Sequence, residues 1–306
     1  MKSLYLILSD YGYPGLERFL QDVRLAGIEI IPYAAAGSRL IRGDDNVKDI
    51  ADRDKKLKGS YLLTDCMQGV DYASETGMGY VFYEPDGSED TVTESDGNMG
   101  STAEEHKGTD AAECITRGFD EIGADFIIKM YQRHNHLPWT ILTTKRLKLR
   151  EMTVEDVDRL YEIYSEPSIT RYTESLYEDR DEEIEYTKAY IRNQYEFFGY
   201  GLWIVEKIET GRMIGRAGIT NREGWEEAEI GYIIEKESQN RGYATEICRA
   251  IVEYARDVLI MPGLNCFVQP ENEVSVRICR RLGFDHIEDV DITGIRMSRY
   301  HIDLRK

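Results

Sequence analysis

The sequence predicts an α/β (α+β) protein built as two domains, and three observations carry that expectation. The 306 residues exceed the usual length of one domain, and each half is long enough to bury a core. In the first half, short apolar runs alternate with helical stripes, the pattern of parallel strands joined by right-handed crossovers. In the second half the order becomes β-α-α-β-β-β-α-β-α with a late strand, and no internal repeat relates the halves.

Leu4–Leu8 is a short apolar run ending at Ser9-Asp10, and Leu16, Phe19, Leu20 and Val23 then recur at helical spacing until Gly27. Ile28–Tyr33 is the second strand. A charged stretch from Asp44 to Lys58 precedes the strand Tyr61-Leu62-Leu63, a helix over about Val70–Glu75 and the strand Tyr80–Tyr83. Residues 84–110 are dominated by Asp, Glu, Ser, Thr and Gly, too few apolar side chains to offset the entropy of ordering, and are expected to form a flexible acidic insertion. Glu113–Thr116 is a further strand. Phe126, Ile127, Met130 and Tyr131 form a helical stripe, and Pro138-Trp139 closes the segment, placing the domains at 1–138 and 139–306.

The second half opens with the strand Arg146–Arg150, and Thr153 followed by Asp156 marks a helix start ahead of Val157, Leu160, Ile163 and Tyr164. A helix over about 182–197, strands at 202–207 and 213–219, and a strand at 229–235 follow. A helix from Gly242 to Val258, the strand Leu264–Gln269, the helix Val274–Leu282 and a strand near Met297–Asp303 complete the order.

Composition excludes several classes. With 42% hydrophobic and 31% charged residues the chain is neither collagen-like, nor low-complexity, nor a membrane protein. The balance of 57 acids against 38 bases gives −19, which repels phosphate backbones and anionic headgroups and argues against nucleic acid or membrane as partner. The five cysteines are scattered and never form C-x-x-C, so no disulfide framework or zinc site is expected and a reducing, cytoplasmic setting fits. The N-terminal apolar run is too short for a signal peptide. His134-x-His136 has no third ligand in view and is expected to be a polar helix end.

One segment carries chemistry. The strand Glu229–Glu235 leads through a polar spacer into Gln239-Asn240-Arg241-Gly242-Tyr243-Ala244-Thr245-Glu246, which opens a long amphipathic helix. A glycine-containing turn at a helix N-terminus exposes successive N–H groups and the positive dipole end, a setting that suits a pyrophosphate. Gln239-x-x-Gly242-x-Ala244 resembles the Q/R-x-x-G-x-G/A acetyl-CoA loop of the GNAT acetyltransferases. Gln269-Pro270-Glu271-Asn272-Glu273-Val274-Ser275, followed by Arg281-Leu282-Gly283-Phe284, resembles the P-x-N-x-x-S…LGF segment of the branch that acetylates the N-terminal alanine or serine of ribosomal proteins. The likeness spans about Trp139–Lys306 and implies a GNAT fold with a mixed, mainly antiparallel sheet, acetyl-CoA as co-substrate without a metal, and an amine acceptor, either a peptide N-terminus or a small amine.

The resemblance implies roles residue by residue. Backbone groups of Ile233 and Ile234 would pair with the pantetheine arm, amides from Arg241 to Thr245 would hold the pyrophosphate, and Asn272 would hydrogen-bond nearby unless it only forms an Asx turn. Glu229 is the candidate base, with Glu226 and Glu227 as rivals and a solvated strand end as the plain alternative. An N–H near Ile234 would stabilise the oxyanion. Many members place a tyrosine five residues before the phenylalanine of LGF, where this chain has Cys279; Ser275 is then the candidate acid, or a helix cap, and Cys279 lines the thiol channel or simply packs. Tyr172, Tyr200, Trp203 and Arg216 are candidates for the acceptor side, with core packing as the alternative. A non-catalytic acyl-CoA-binding regulator is the second reading of the chain.

In the first half, Leu62-Leu63-Thr64-Asp65…Gly69…Ala73…Gly77-Met78 loosely resembles the last βαβ unit of haloacid-dehalogenase-like folds. Phosphatases of that fold carry D-x-D-x-T/V after the first strand. Here the run is Asp10-Tyr11-Gly12-Tyr13-Pro14, without the second carboxylate, so no phosphatase activity is expected. A Rossmann-like accessory domain for ligand sensing, dimer formation or substrate presentation is the reading of this half.

Overall fold

The computed structural model describes residues 1–9, 11–36, 39–42, 59–84, 112, 114–120 and 122–305. Asp10, the charged stretch 44–58 and all of the acidic insertion after Glu84 lie outside the described residues. The chain divides into two compact units, Met1–Leu137 and Pro138–Lys306.

The first unit contains β1 (Ser3–Leu8), α1 (Leu16–Leu25), β2 (Glu29–Ala36), β3 (Arg39–Arg42), β4 (Ser60–Thr64), α2 (Met67–Thr76), β5 (Tyr80–Tyr83), β6 (Cys114–Thr116) and α3 (Ala124–His134). Its sheet has the order β3-β2-β1-β4-β5-β6. All neighbours are parallel except β3, an antiparallel edge strand that the sequence reading did not include. Every residue of β1 is buried because helices cover both faces. Leu4, Leu6 and Leu8 pack with Tyr61 and Leu63 against Leu16, Phe19 and Val23 of α1 and Ile127 of α3. Tyr5, Ile7 and Leu62 pack against Val70, Tyr72 and Ala73 of α2. The strand period of two thus divides one apolar run between two cores.

The second unit contains β7 (Thr140–Thr143), β8 (Leu147–Arg150), α4 (Val157–Tyr164), α5 (Pro167–Thr170), α6 (Arg180–Tyr190), α7 (Glu196–Phe198), β9 (Leu202–Lys207), β10 (Met213–Thr220), β11 (Glu229–Ile234), α8 (Tyr243–Asp257), β12 (Gly263–Val268), α9 (Glu273–Leu282), β13 (Asp285–Ile292) and β14 (Ile295–Asp303). The sheet order is β13-β14-β12-β11-β10-β9-β8-β7, antiparallel throughout except for β11 and β12.

Three differences from the sequence reading have physical causes. β13 was not expected because almost all of its side chains are exposed and it has no apolar face; backbone pairing with β14 and the ion pairs Arg296–Asp289 and Arg299–Glu288 hold it. β7 is likewise only partly buried and offers no periodic signal. The helix expected over 182–197 starts at Arg180, where Asp179 caps the Asp181 and Glu182 amides, and after Tyr190 it widens into a π turn before α7.

The sheet of this unit has two chemically distinct faces. Trp203, Ala217 and Tyr232 are cross-strand partners on the α8 side, where Trp203 meets Tyr254 edge-on at 5.8 Å. Ile204, Arg216 and Ile233 occupy the opposite face, where the Arg216 guanidinium lies 5.1 Å from the ring centre of Tyr164 in α4. Among the described residues no helix is long and apolar enough to cross a membrane.

Candidate active site

The two parallel strands at the centre of this sheet part almost as soon as they meet. β11 and β12 share one register pair, Glu229↔Asn265. Asn265, 1% exposed, pins that point with its backbone N–H and both ends of its side-chain amide. Its backbone N–H donates to the Ala228 carbonyl at 2.9 Å, its side-chain amide donates to the Glu227 carbonyl at 2.9 Å, and its side-chain oxygen accepts from Arg299 Nε at 2.9 Å. The far end of β11 is held toward β10 instead. The Glu235 N–H donates to the Ile214 carbonyl, and the buried Glu235 carboxylate accepts from Arg212, Arg159 and Ser238. A bulge between Met213 and Gly215 curves β10 at this point.

Backbone alternation decides which groups of β11 face the opening. The Ala228 carbonyl serves β12 and the Glu235 amide serves β10, so Ile230, Tyr232 and Ile234 turn their backbone groups toward the gap. Ile233 pairs with Arg216 of β10, which corrects the expectation that its backbone faces the opening. The Ile234 carbonyl accepts from the Gln239 side-chain amide at 3.0 Å, so Gln239 ties the loop to the strand and the Ile234 N–H remains on the gap side.

The opening leads to the N-terminus of α8. Gly242 has φ +79°, a left-handed conformation that favours glycine, and Asn240 is also left-handed at +59°. The first intrahelical bond runs from the Glu246 N–H to the Gly242 carbonyl, so the amides of Tyr243, Ala244 and Thr245 have no partner in the preceding turn. Arg146 closes over the loop. It pairs with Glu246 at 2.6 Å, donates to the Arg241 carbonyl at 3.1 Å and stacks 4.4 Å from the Tyr243 ring centre, with Lys207 Nζ 5.5 Å from the same ring. Amides, a helix dipole and nearby cations together fit a pyrophosphate group. Nothing in the spacing of Arg146, a hundred residues upstream in sequence, had marked it.

On the β12 side, the Asn272 side-chain oxygen accepts from the Ser275 N–H at 3.2 Å and so caps α9, the capping role the sequence reading had offered to Ser275. The Ser275 hydroxyl is 2.9 Å from the Tyr232 hydroxyl, which makes Tyr232 the missed partner of the candidate acid. Burial pushes the Tyr232 phenol well above its ordinary value, the buried thiols nearby adding to the rise and the Ser275 hydrogen bond opposing it. Cys279 is buried with its sulfur 3.3 Å from that of Cys266, so it packs in the wall.

The face opposite α8 holds the remaining candidates. Glu229 is gripped by Arg222 through both oxygens at 2.9 Å, with Thr220 Oγ1 at 3.4 Å. Glu227 pairs with His301 at 2.7 Å, and Glu226 is exposed. Gly218 and Gly231 lie between Glu229 and Arg216 on this face, where a side chain at 218 would run into the backbone of Gly201 and Leu202. Tyr172 reaches the Glu271 carbonyl at 3.3 Å while Lys236 reaches Ser168 at 3.2 Å, so the α5 segment contacts the chain after both parted strands. The Tyr200 hydroxyl donates to Asn221 at 2.9 Å. Trp203 is 0% exposed on the α8 face; it is a core residue and leaves the acceptor set, because the strand period turns it away from Arg216. Among the described residues no group of three or more His, Cys, Asp or Glu is placed to hold a metal ion.

Residues 146–285 match the family model described as acetyltransferase (GNAT) domain. The uncharacterized N-acetyltransferase YoaA of Bacillus subtilis is 30% identical over 147 residues, which cover 47% of this chain and 82% of that protein. The spermidine N(1)-acetyltransferase of Escherichia coli is 29% identical over 145 residues, covering 45% of this chain and 72% of the other. Among solved structures, an acetyltransferase of Agrobacterium tumefaciens shares 26% identity with a TM-score of 0.46, covering 53% of this chain and 92% of that one.

Proposed function

Because the chain belongs to the GNAT acetyltransferase family and is an N-acetyltransferase, we propose that its second unit binds acetyl-CoA in the opening between β11 and β12 and acetylates a primary amine presented on the sheet face opposite α8. The observation that carries this is the single register pair between two parallel strands, with the gap leading to a helix N-terminus capped by Gly242.

The amides of Arg241–Thr245 hold the pyrophosphate, and Arg146 and Lys207 add positive charge beside it. When bound, acetyl-CoA supplies the acetyl group as a thioester. The Ile234 N–H, on the gap side of β11, donates to the oxygen on which negative charge grows. Ser275 and Tyr232 hold a proton for the departing sulfur, and the raised pKa of the phenol keeps that proton in place until it is needed. Glu229 is held in place by Arg222, and its Oε2, which takes only the Arg222 Nε–H, retains acceptor capacity for an N–H of the incoming amine, from which water carries the proton away. Asn272 and Cys279 shape the α9 wall. The regulator reading requires no residue on the acceptor face, and the Glu229–Arg222 pair beside the opening favours turnover.

The test is calorimetric and kinetic. Wild-type protein should bind acetyl-CoA and acetylate members of an amine panel, and Glu229→Gln should slow turnover while leaving acetyl-CoA binding intact. Absence of acetyl-CoA binding in the wild type ends this reading, and binding without turnover on any amine turns it to the regulator.

A further inference from the structure

Partly buried arginines in the second unit follow one rule with one exception. Arg150 pairs with Asp156 and Glu206, Arg159 with Glu162 and Glu235, Arg222 with Glu229 and Arg299 with Glu288. Arg216, also partly buried, has no carboxylate within ion-pair distance among the described residues, and its buried Nε–H has no hydrogen-bond partner. The hydroxyl of Tyr164, whose ring lies 5.1 Å from the Arg216 guanidinium, is buried and has no partner beyond Arg216 itself among the described residues. Unsatisfied buried donors are rare and costly, and an unpaired buried cation more so. Two of them side by side amount to a receptor for an anion.

The place is informative. Arg216 is the cross-strand partner of Ile233, so it stands one strand, about 5 Å, from the opening of β11. It lies on the acceptor face, with Gly218 and Gly231 between it and Glu229. Its charge acts on the phenols of Tyr164, Tyr186 and Tyr190, which hold no counter-charge for it. Glu183, a buried carboxylate of α6 whose charge acts on Tyr164 and Tyr186 as well, accepts the Tyr177 N–H and forms no ion pair with Arg216.

Resting on the acetyltransferase reading above, we infer that Arg216 and Tyr164 anchor a carboxylate of the acceptor, so that the substrate is an amine carrying a carboxylate a few bonds from its nitrogen. A guanidinium fork matches a carboxylate in two-point contact, and one cation balances a monoanion but not a phosphate dianion. A polyamine is disfavoured, because its second ammonium would stand against the unpaired charge of Arg216. The acidity of the whole chain does not oppose this. Such an acceptor is zwitterionic, long-range fields are screened beyond about 8 Å at physiological salt, and the local contact decides.

The experiment has an arm that needs no turnover. Glutarate, a dicarboxylate without an amine, should raise the Tm of the full chain and fail to raise that of Arg216→Gln, with Arg216→Lys keeping part of the shift. The ligand-free Arg216→Gln protein should be no less stable than wild type, since it loses an unpaired, partly buried cation. In the kinetic arm, wild type should prefer 4-aminobutanoate over 1,4-diaminobutane by about tenfold or more in kcat/KM, mostly through KM, as expected for a charge contact present in the ground state. Arg216→Gln should abolish or reverse that order. A wild type indifferent to glutarate, or a carboxylate preference that survives Arg216→Gln, overturns the anchor. If the diamine is the better substrate the acetyltransferase reading stands and the anchor falls; if acetyl-CoA does not bind, that reading falls and the glutarate arm still decides the anchor.

Discussion

Each unit contains a central pair of parallel strands, and the two pairs behave in opposite ways. β1 and β4 stay in register from Ser3↔Ser60 through Ile7↔Thr64, whereas β11 and β12 keep only Glu229↔Asn265. The closed pair is apolar on both faces, so burial on either side favours every further ladder bond. The open pair is pinned at one end by the polar groups of Asn265 and drawn away at the other by Glu235 and its two arginines. A parallel ladder is thus continuous by default, and a parting in one requires identifiable polar anchors that hold both strands apart. The parting is also where the proposed function places acetyl-CoA, so in that reading the anchors that cost ladder bonds are the ones that make the site.

Several changes would break or sharpen this contrast. The largest effect is expected at the end of the opening: Gly242→Glu places a carboxylate and a strained left-handed side chain at the phosphate loop, and isothermal titration should show acetyl-CoA binding reduced by about 100-fold or more. In the closed pair, Leu63→Ala should destabilise the first unit by roughly 2–5 kcal/mol in urea unfolding while leaving the acetyl-CoA dissociation constant of the second unit unchanged. A change in that constant would mean that the two regions do not act separately.

A smaller effect is expected at the proton donor. Ser275→Ala or Tyr232→Phe should lower kcat by roughly 10- to 100-fold, with the double variant no worse than the poorer single one, because the two hydroxyls act as one unit. Multiplicative losses would separate their roles.

The smallest concerns the clasp on the loop. Burial alone would raise the Glu246 carboxyl, but hydrogen bonds from Thr144 and Arg146 hold it below its ordinary value. A carboxyl lowered on folding contributes stability that is complete above its unfolded pKa and is lost as pH falls through the folded one. Glu246→Gln should therefore flatten the stability curve below about pH 4.3, by less than about 1 kcal/mol because the pair is partly solvated. An unchanged acid limb would show that the clasp contributes nothing.

The strand and helix pattern of the first unit was legible because each element there buries a periodic apolar face. The antiparallel edge β3 had no such signal, and neither did β7 or β13, which backbone pairing holds without an apolar face. In the site, the loop from Gln239 to Thr245 was legible because a helix start after glycine is a local event, specified by neighbouring residues. Asn272 and Ser275 were legible as a motif, but their partners were not. Tyr232 reads as a strand aromatic until α9 brings Ser275 to its hydroxyl, and Trp203 reads as an acceptor aromatic until the strand period turns it into the core.

Local grammar in the chain was enough to assign the helix starts, most of the strands and the glycine turn ahead of α8, since each depends on residues a few positions apart. Tertiary packing alone decided which backbone groups of β11 face the opening, that Ile233 does not, that Arg146 closes on Glu246, and that Arg216, among the described residues of the second unit, is a partly buried arginine left without a carboxylate. Those outcomes depend on electrostatic pairing and register between segments tens of residues apart, and such pairing energies exist only once the chain has brought the groups within a few ångströms of one another.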